Sequence, residues 1–346
     1  MLVINDFFKR KKEAISNQME LILNSIDEDS KIITATRFMN QKSMQESELK
    51  DNIFVYHPFL YPFVVFKNLI GNNQVVHLFQ EESSLYKQFL LNLTKHPLYI
   101  SLYRRPTNEE CTHLKKYKYL KGIFVELQEH KDILVSNGFD KQNVFVTPTP
   151  SKFKREYNNK KYDMNNINIL FASWNMAEGD SLYDRGLMYL LELLKNNLNL
   201  NLFVILRDNN TFEFEKRIKE SGLDNRVKLI DVKDDLELEH IFEESDYVSF
   251  PAQKRIVKDV PNSLIDGLCK GKPVIISNIL DFSRVVEENE IGFVVTDNNG
   301  SLKLDLTEEA YNQLSDNAFN YSKIHTNDNY INKIKNGYKN TKKVGN

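Results

Sequence analysis

Only two cysteines, Cys111 and Cys269, occur in the 346 residues, and they are far apart. So sparse a set gives no disulfide framework and reads as two free thiols in a reducing compartment. No apolar run approaches the roughly 20 residues of a membrane span. The start, MLVINDFFKRKK, puts its charges after the apolar residues, which is not the order of a secretory signal. Neither sign of charge dominates: 46 Lys and Arg stand against 48 Asp and Glu, so nothing calls for a nucleic acid partner. Internal repeats, a P-loop and a metal-spaced His or Cys cluster are also missing. What is present is length enough for a large core, divided between two domains.

The most informative stretch runs from Ser245 to Ser277, SDYVSFPAQKRIVKDVPNSLIDGLCKGKPVIIS. Tyr247 to Phe250 reads as a short strand closed by Pro251, and a basic loop with Lys254, Arg255 and Lys258 follows. Pro261, Asn262 and Ser263 suit a helix start. Leu264, Ile265 and Leu268 supply its apolar face, Gly271 ends it, and Val274-Ile275-Ile276 is the next buried strand. This is a βαβ unit, and its helix N-terminus can hold an anion.

The wording of this stretch resembles the donor motif of the retaining group 1 (family 4-like) glycosyltransferases, which have the GT-B fold. In that family a Glu, seven residues and a second Glu precede Ala-Met-Ala-x-Gly-x-Pro-Val. Asp266 stands at the second Glu and Gly271-Lys272-Pro273-Val274 keeps the end of the motif, whereas Lys258 reverses the charge of the first Glu. The resemblance implies an α/β protein with two Rossmann-like domains facing a cleft. It places residues 1–155 in an acceptor-side domain and 156–320 in a nucleotide-sugar-binding domain. Residues 321–346 become a helix returning toward the first domain. The Lys- and Asn-rich run from Lys152 to Asp163 reads as the linker.

Other positions follow in chain order. Ile4, Phe7, Phe8, Ile15, Met19, Ile22, Leu23 and Ile26 recur at helical spacing, so residues 4–26 read as one amphipathic helix. With the basic cluster Lys9 to Lys12 it could touch an anionic membrane surface. Strands are expected at Lys31–Thr36, Ile53–Tyr56, Gln74–Phe79, Pro97–Leu102, Lys118–Val125 and Asn143–Thr147. The aromatic run His57 to Phe66 belongs to the core, or grips lipid or sugar where exposed. QVVHLF resembles the family's Asp-Ile-Val-His-Val-His strand, which makes His77 the catalytic-side candidate. Gln80 and Glu81 at that strand's end, and Tyr103 and Arg104 after the next, are the acceptor-side candidates. Arg185-Gly186 stands where relatives carry Lys-Gly, and an Arg can clasp a phosphate bidentately. Arg207 ends the following strand, and Arg284 takes the place of a further family Glu.

The donor-side set is therefore Arg185, Arg207, Lys258, Asn262, Ser263, Asp266 and Arg284, with no metal ligands and no cofactor. Two functions are expected. One is transfer of a sugar from a UDP- or GDP-linked donor to a glycan, glycolipid or protein-linked acceptor, for surface polysaccharide or glycoconjugate synthesis. The other is a non-catalytic glycosyltransferase-like subunit supporting a partner enzyme. Either fits a cytoplasmic protein, or one at the inner face of the membrane.

Overall fold

The computed structural model describes residues 1–5, 14–26, 30–35, 53–56, 61–70, 74–79, 85–157, 160–172, 181–206, 212–255, 258–296 and 300–342. The chain forms two compact units, residues 1–148 with 327–346, and residues 149–326.

The first unit begins with β1 (Leu2–Asn5), α1 (Ala14–Ile26), β2 (Lys31–Ala35), β3 (Ile53–Tyr56) and α2 (Tyr61–Leu69). It continues through β4 (Val76–Phe79), α3 (Leu85–Thr94), β5 (Leu98–Leu102), α4 (Asn108–Leu114), β6 (Leu120–Val125), α5 (Gln128–Ser136) and β7 (Val144–Val146). All seven strands are parallel, in the order β3-β2-β1-β4-β5-β6-β7. Helices cover both faces, so the strands are near-continuous apolar runs. Leu2, Ile4, Val76, Leu78 and Ile100 point into the cluster completed by α2, α3, α4 and α5. Met1, Val3, Ile32, Tyr99 and Phe124 point into the opposite one, completed by α1.

The expected helix over residues 4–26 is a correction. Ile4 lies in β1, an interior strand of the sheet, and α1 starts only at Ala14. A strand buried on both faces shows no alternation, so LVIN merges into a helical stripe when read by spacing alone. The apolar residues of α1, Ile15, Met19, Ile22 and Leu23, pack with Tyr330, Ile331, Ile334 and Tyr338 in the core of this unit. That face is spent inside the protein and is not offered to a membrane; Phe7, Phe8 and Lys9 to Lys12 lie outside the described residues.

The second unit carries β8 (Ile167–Phe171), α6 (Ser181–Asp184), α7 (Leu187–Asn196), β9 (Leu200–Leu206), α8 (Phe212–Glu220), β10 (Val227–Asp231) and α9 (Asp235–Glu244). Then come β11 (Tyr247–Phe250), α10 (Asn262–Cys269), β12 (Val274–Ser277), α11 (Phe282–Glu288), β13 (Gly292–Val295) and α12 (Glu308–Tyr321). The chain ends on α13 (Asn327–Lys342), which belongs to the first unit. Gly337 lets α13 lie close on β6, because a Cβ there would come within 2.6 Å of the Phe124 ring.

The second sheet is also fully parallel, in the order β10-β9-β8-β11-β12-β13. The strand order reverses between β8 and β11, the switch point at which open α/β sheets bind ligands. Residues 149–157 are bound to this unit, although the sequence reading ran the first domain to residue 155. Arg155 donates to Phe319 O at 2.8 Å and stacks on the Phe319 ring, and Glu156 N donates to Cys269 O at 3.1 Å. Among the described residues no helix is long and apolar enough to cross a membrane.

Candidate functional site

The site is assembled from the loop that leaves β11. Tyr247, Val248, Ser249 and Phe250 are all buried, and the chain turns at Pro251 before re-entering as α10. Pro261 stands at the helix boundary with φ −61°, and no side chain caps the helix. Asn262 and Ser263, the first two helical residues, are where unpaired backbone N–H groups and the positive end of the helix dipole lie. The side chains there are also unmatched. Ser263 Oγ and Asn262 Oδ1 are buried and have no hydrogen-bond partner among the described residues. Leaving such groups unpaired costs about 1–3 kcal/mol each. Ser263 can donate to a phosphate oxygen, and Asn262 Oδ1 can accept from a hydroxyl.

The turn between α6 and α7 borders the same loop. Gly186 has φ +86°, and a Cβ on it would lie 2.0 Å from Pro251 O, so only glycine fits against the end of β11. Gln253 N donates to Asp184 O at 2.9 Å, and Lys254 Nζ pairs with Asp184 at 2.8 Å. These contacts fix half-buried Arg185 beside the loop after β11. Arg255 then bridges two loops, reaching Asp259 at 3.0 Å and Asp281 at 2.7 Å. The loop's first two cations are thus matched by carboxylates. Arg284 is exposed in the first turn of α11, and Arg207 lies outside the described residues.

Asp266 and Lys258, both donor-side candidates, are bonded to residues 149–152. Asp266 Oδ1 accepts from Ser151 Oγ and from Lys152 N, both at 2.8 Å. Lys258 Nζ donates to Thr149 Oγ1 at 3.0 Å, and His325 Nδ1 lies 2.6 Å from Thr149 O. Burial, aided by the nearby Lys258 charge and opposed by the bond to Thr149 O, lowers the His325 pKa to about 4. The ring is neutral at pH 7, so Nδ1–H donates to that carbonyl. Residues 149–152 are thereby clamped onto the flank of α10. Sequence reasoning missed Thr149, Ser151 and His325, because partners more than a hundred positions away leave no local signal.

The remaining candidates belong to the first unit. His77 is fully buried, with Nδ1 2.5 Å from Tyr338 Oη and Nε2 2.9 Å from Ser101 Oγ. Burial lowers its pKa to about 3, so the ring is neutral. Both nitrogens are occupied and the ring is surrounded by Phe79, Phe124 and Tyr338. The structure thus places His77, the catalytic-side candidate, inside the core of this unit. Tyr103 is likewise in the core rather than on the acceptor side, and burial raises its pKa. Arg104 is exposed and paired with Glu110, whose other oxygen accepts from Thr107 N in the capping box of α4. Gln80 and Glu81 lie outside the described residues.

Residues 181–318 match the family model of glycosyl transferases group 1. No curated protein matches in sequence. Among solved structures, the Anabaena protein HepE in complex with UDP and glucose is 13% identical, with a TM-score of 0.71 over 98% of this chain and 99% of that one. Sucrose-phosphate synthase from Thermosynechococcus elongatus is 12% identical, with a TM-score of 0.70 over 99% of this chain and 100% of that one. A glycosyltransferase from Rickettsia africae is 14% identical, with a TM-score of 0.69 over 99% and 98%. The chain has the GT-B fold, and residues 181–318, within its second unit, match the model of glycosyl transferases group 1.

Proposed function

We propose that the protein transfers a sugar from a nucleotide-sugar donor, UDP- or GDP-linked, to a glycan, glycolipid or protein-linked acceptor. The observation that carries this reading is the start of α10. It is a helix N-terminus at the switch point of a parallel sheet, with two buried side-chain oxygens, Ser263 Oγ and Asn262 Oδ1, unmatched, and the Arg185-Gly186 turn borders the same loop. A diphosphate suits this place: backbone N–H groups and the Ser263 hydroxyl donate to its oxygens, and Arg185 adds a fixed charge. In transfer the anomeric carbon exchanges its bond to the diphosphate oxygen for one to an acceptor hydroxyl oxygen, the hydroxyl proton is released, and negative charge gathers on the leaving diphosphate oxygen. Donors already aimed at that oxygen lower the barrier without reorganising. On this reading the reaction retains anomeric configuration and needs no metal. Surface polysaccharide or glycoconjugate synthesis is the setting it fits.

The test is incubation of the purified full chain with radiolabelled nucleotide sugars. Saturable retention of one donor, and its transfer to an added glycan or lipid-linked acceptor, supports the reading. Activity abolished by EDTA and restored by magnesium contradicts the metal-free part, and an inverted product anomer contradicts retention. One observation favours a second reading, a glycosyltransferase-like subunit that supports a partner enzyme. Lys258 and Asp266, at the family's ligand positions, are both engaged with residues 149–152. Donor retention without turnover on any acceptor would favour that reading.

A further inference from the structure

Two neighbouring helices of the first unit leave an apolar face uncovered. On α2 and at the residue just past it, Phe63, Phe66 and Ile70 recur at three- and four-residue steps and are 73, 36 and 56% exposed. On α3, Phe89 and Leu93 are four residues apart and are 64 and 55% exposed. The inward residues of the same helices, Val65, Leu69, Leu90 and Leu91, are all in one core cluster, so both helices lie on the same face of the sheet. His96 Nε2 meets Leu69 O at 2.7 Å, which holds the C-terminal ends of the two helices together. Each helix thus carries a double set of apolar residues, one used by the fold and one not.

The charge around this face is one-sided. Neither helix contains an acidic residue, and from residue 52 to residue 108 the only acids are Glu81 and Glu82. Lys67 is exposed on α2, and Lys95 is exposed just past α3. Asn92 of α3 donates to Lys116 O at 2.9 Å and accepts from Lys118 N at 2.8 Å, which sets the exposed Lys116 and Lys118 beside Leu93. Protein-protein interfaces are enriched in aromatics but depleted in lysine. An apolar stripe with a lysine rim instead fits lipid headgroups, where aromatic rings enter the acyl boundary and ammonium groups meet anionic lipid.

We propose that the α2–α3 face docks the protein on an anionic membrane surface. It is separate from α1, whose apolar side is buried, and it does not depend on what α10 binds. The experiment is co-sedimentation of the full chain with vesicles of phosphatidylcholine, with and without phosphatidylglycerol, at low and high salt. Binding is expected to the phosphatidylglycerol vesicles and to weaken with salt. Replacing Lys116 and Lys118 by Gln should weaken it about fivefold per lysine. Phe63→Ser with Phe89→Ser should weaken it by about tenfold per ring, since each ring would lose most of an interfacial burial. All four side chains are exposed, and an unchanged thermal midpoint would show that the variants fold. The proposal is overturned if the wild-type chain does not sediment with phosphatidylglycerol vesicles, or if the Phe variants bind as well as it does. It is equally overturned if light scattering shows a dimer that the Phe variants dissociate, which would assign the face to a second copy of the chain.

Discussion

The two units share one topology and use its equivalent ends differently. In the first, the strand order reverses between β1 and β4, and the described residues at the strand ends there are closed over. His77 is locked by Tyr338 and Ser101, Phe79 and Tyr103 are in the core, and Tyr338 comes from α13, the last helix of the chain. In the second unit the reversal lies between β8 and β11, and the chain leaves a helix start there with Ser263 and Asn262 unmatched. A parallel sheet supplies the position of a site, but the side chains at its edge decide whether the position is open. On the proposed reading, the capacity to hold a nucleotide belongs to the second unit.

The largest break in this comparison should come from Gly186. Gly186→Val forces a Cβ into Pro251 O and a β-branched residue into φ +86°. The combined strain and displacement should cost roughly 3–5 kcal/mol, read as a lower urea midpoint, together with lost nucleotide binding. A variant with wild-type stability would mean that this turn is not held against β11.

Next comes the clamp. Asp266→Ala strands Ser151 Oγ and Lys152 N, two bonds to a charged acceptor, and should destabilise the second unit by about 2–3 kcal/mol. Ser151→Ala removes one of them and should cost about 1 kcal/mol. Equal stability of Asp266→Ala and wild type would show that residues 149–152 are held by something else.

Acid should act on both units through their buried imidazoles. The folded pKa values of His77, about 3, and His325, about 4, lie below the ordinary value near 6.5. The native state therefore binds fewer protons than the unfolded chain in that window. Their stabilisation is complete above pH 6.5 and is lost as pH falls toward 3 and 4. Each ring contributes up to about 1.4 kcal/mol per pH unit. His77→Gln should flatten the loss for the first unit only. An unchanged pH profile in that variant would place the acid sensitivity elsewhere.

The smallest effect is expected at Lys258. Its ammonium is spent on Thr149, so Lys258→Met should cost about 1 kcal/mol of stability. Affinity for neutral and acidic nucleotide sugars should fall equally. A selective loss of acidic donors would instead put Lys258 in contact with the sugar.

The sequence showed the second unit well and the first less so. The run from Ser245 to Ser277 carries strand, proline, helix start, glycine and strand in local chemistry, and each is where its residues predict. β1 was hidden because a four-residue strand buried on both faces has no period of its own. α4 was missed although Thr107 and Glu110 spell a capping box, since its seven residues carry no clear apolar stripe. His77 looked functional because it ends a strand resembling the family's. Only the arrival of Tyr338, 261 positions later, shows it to be core. The clamp on Asp266 and the lysine rim beside α3 were illegible for the same reason: both are made by residues that meet only in three dimensions.

The central claim is that a nucleotide diphosphate sits at the start of α10, and titration calorimetry with UDP and GDP tests it most directly. The wild-type chain should bind one of them at a single site. Ser263→Ala, which removes only the unmatched hydroxyl, should weaken that binding by about tenfold or more, as expected for a lost hydrogen bond to a charged group. No heat with either nucleotide, or the same affinity in the variant as in the wild type, would contradict the account.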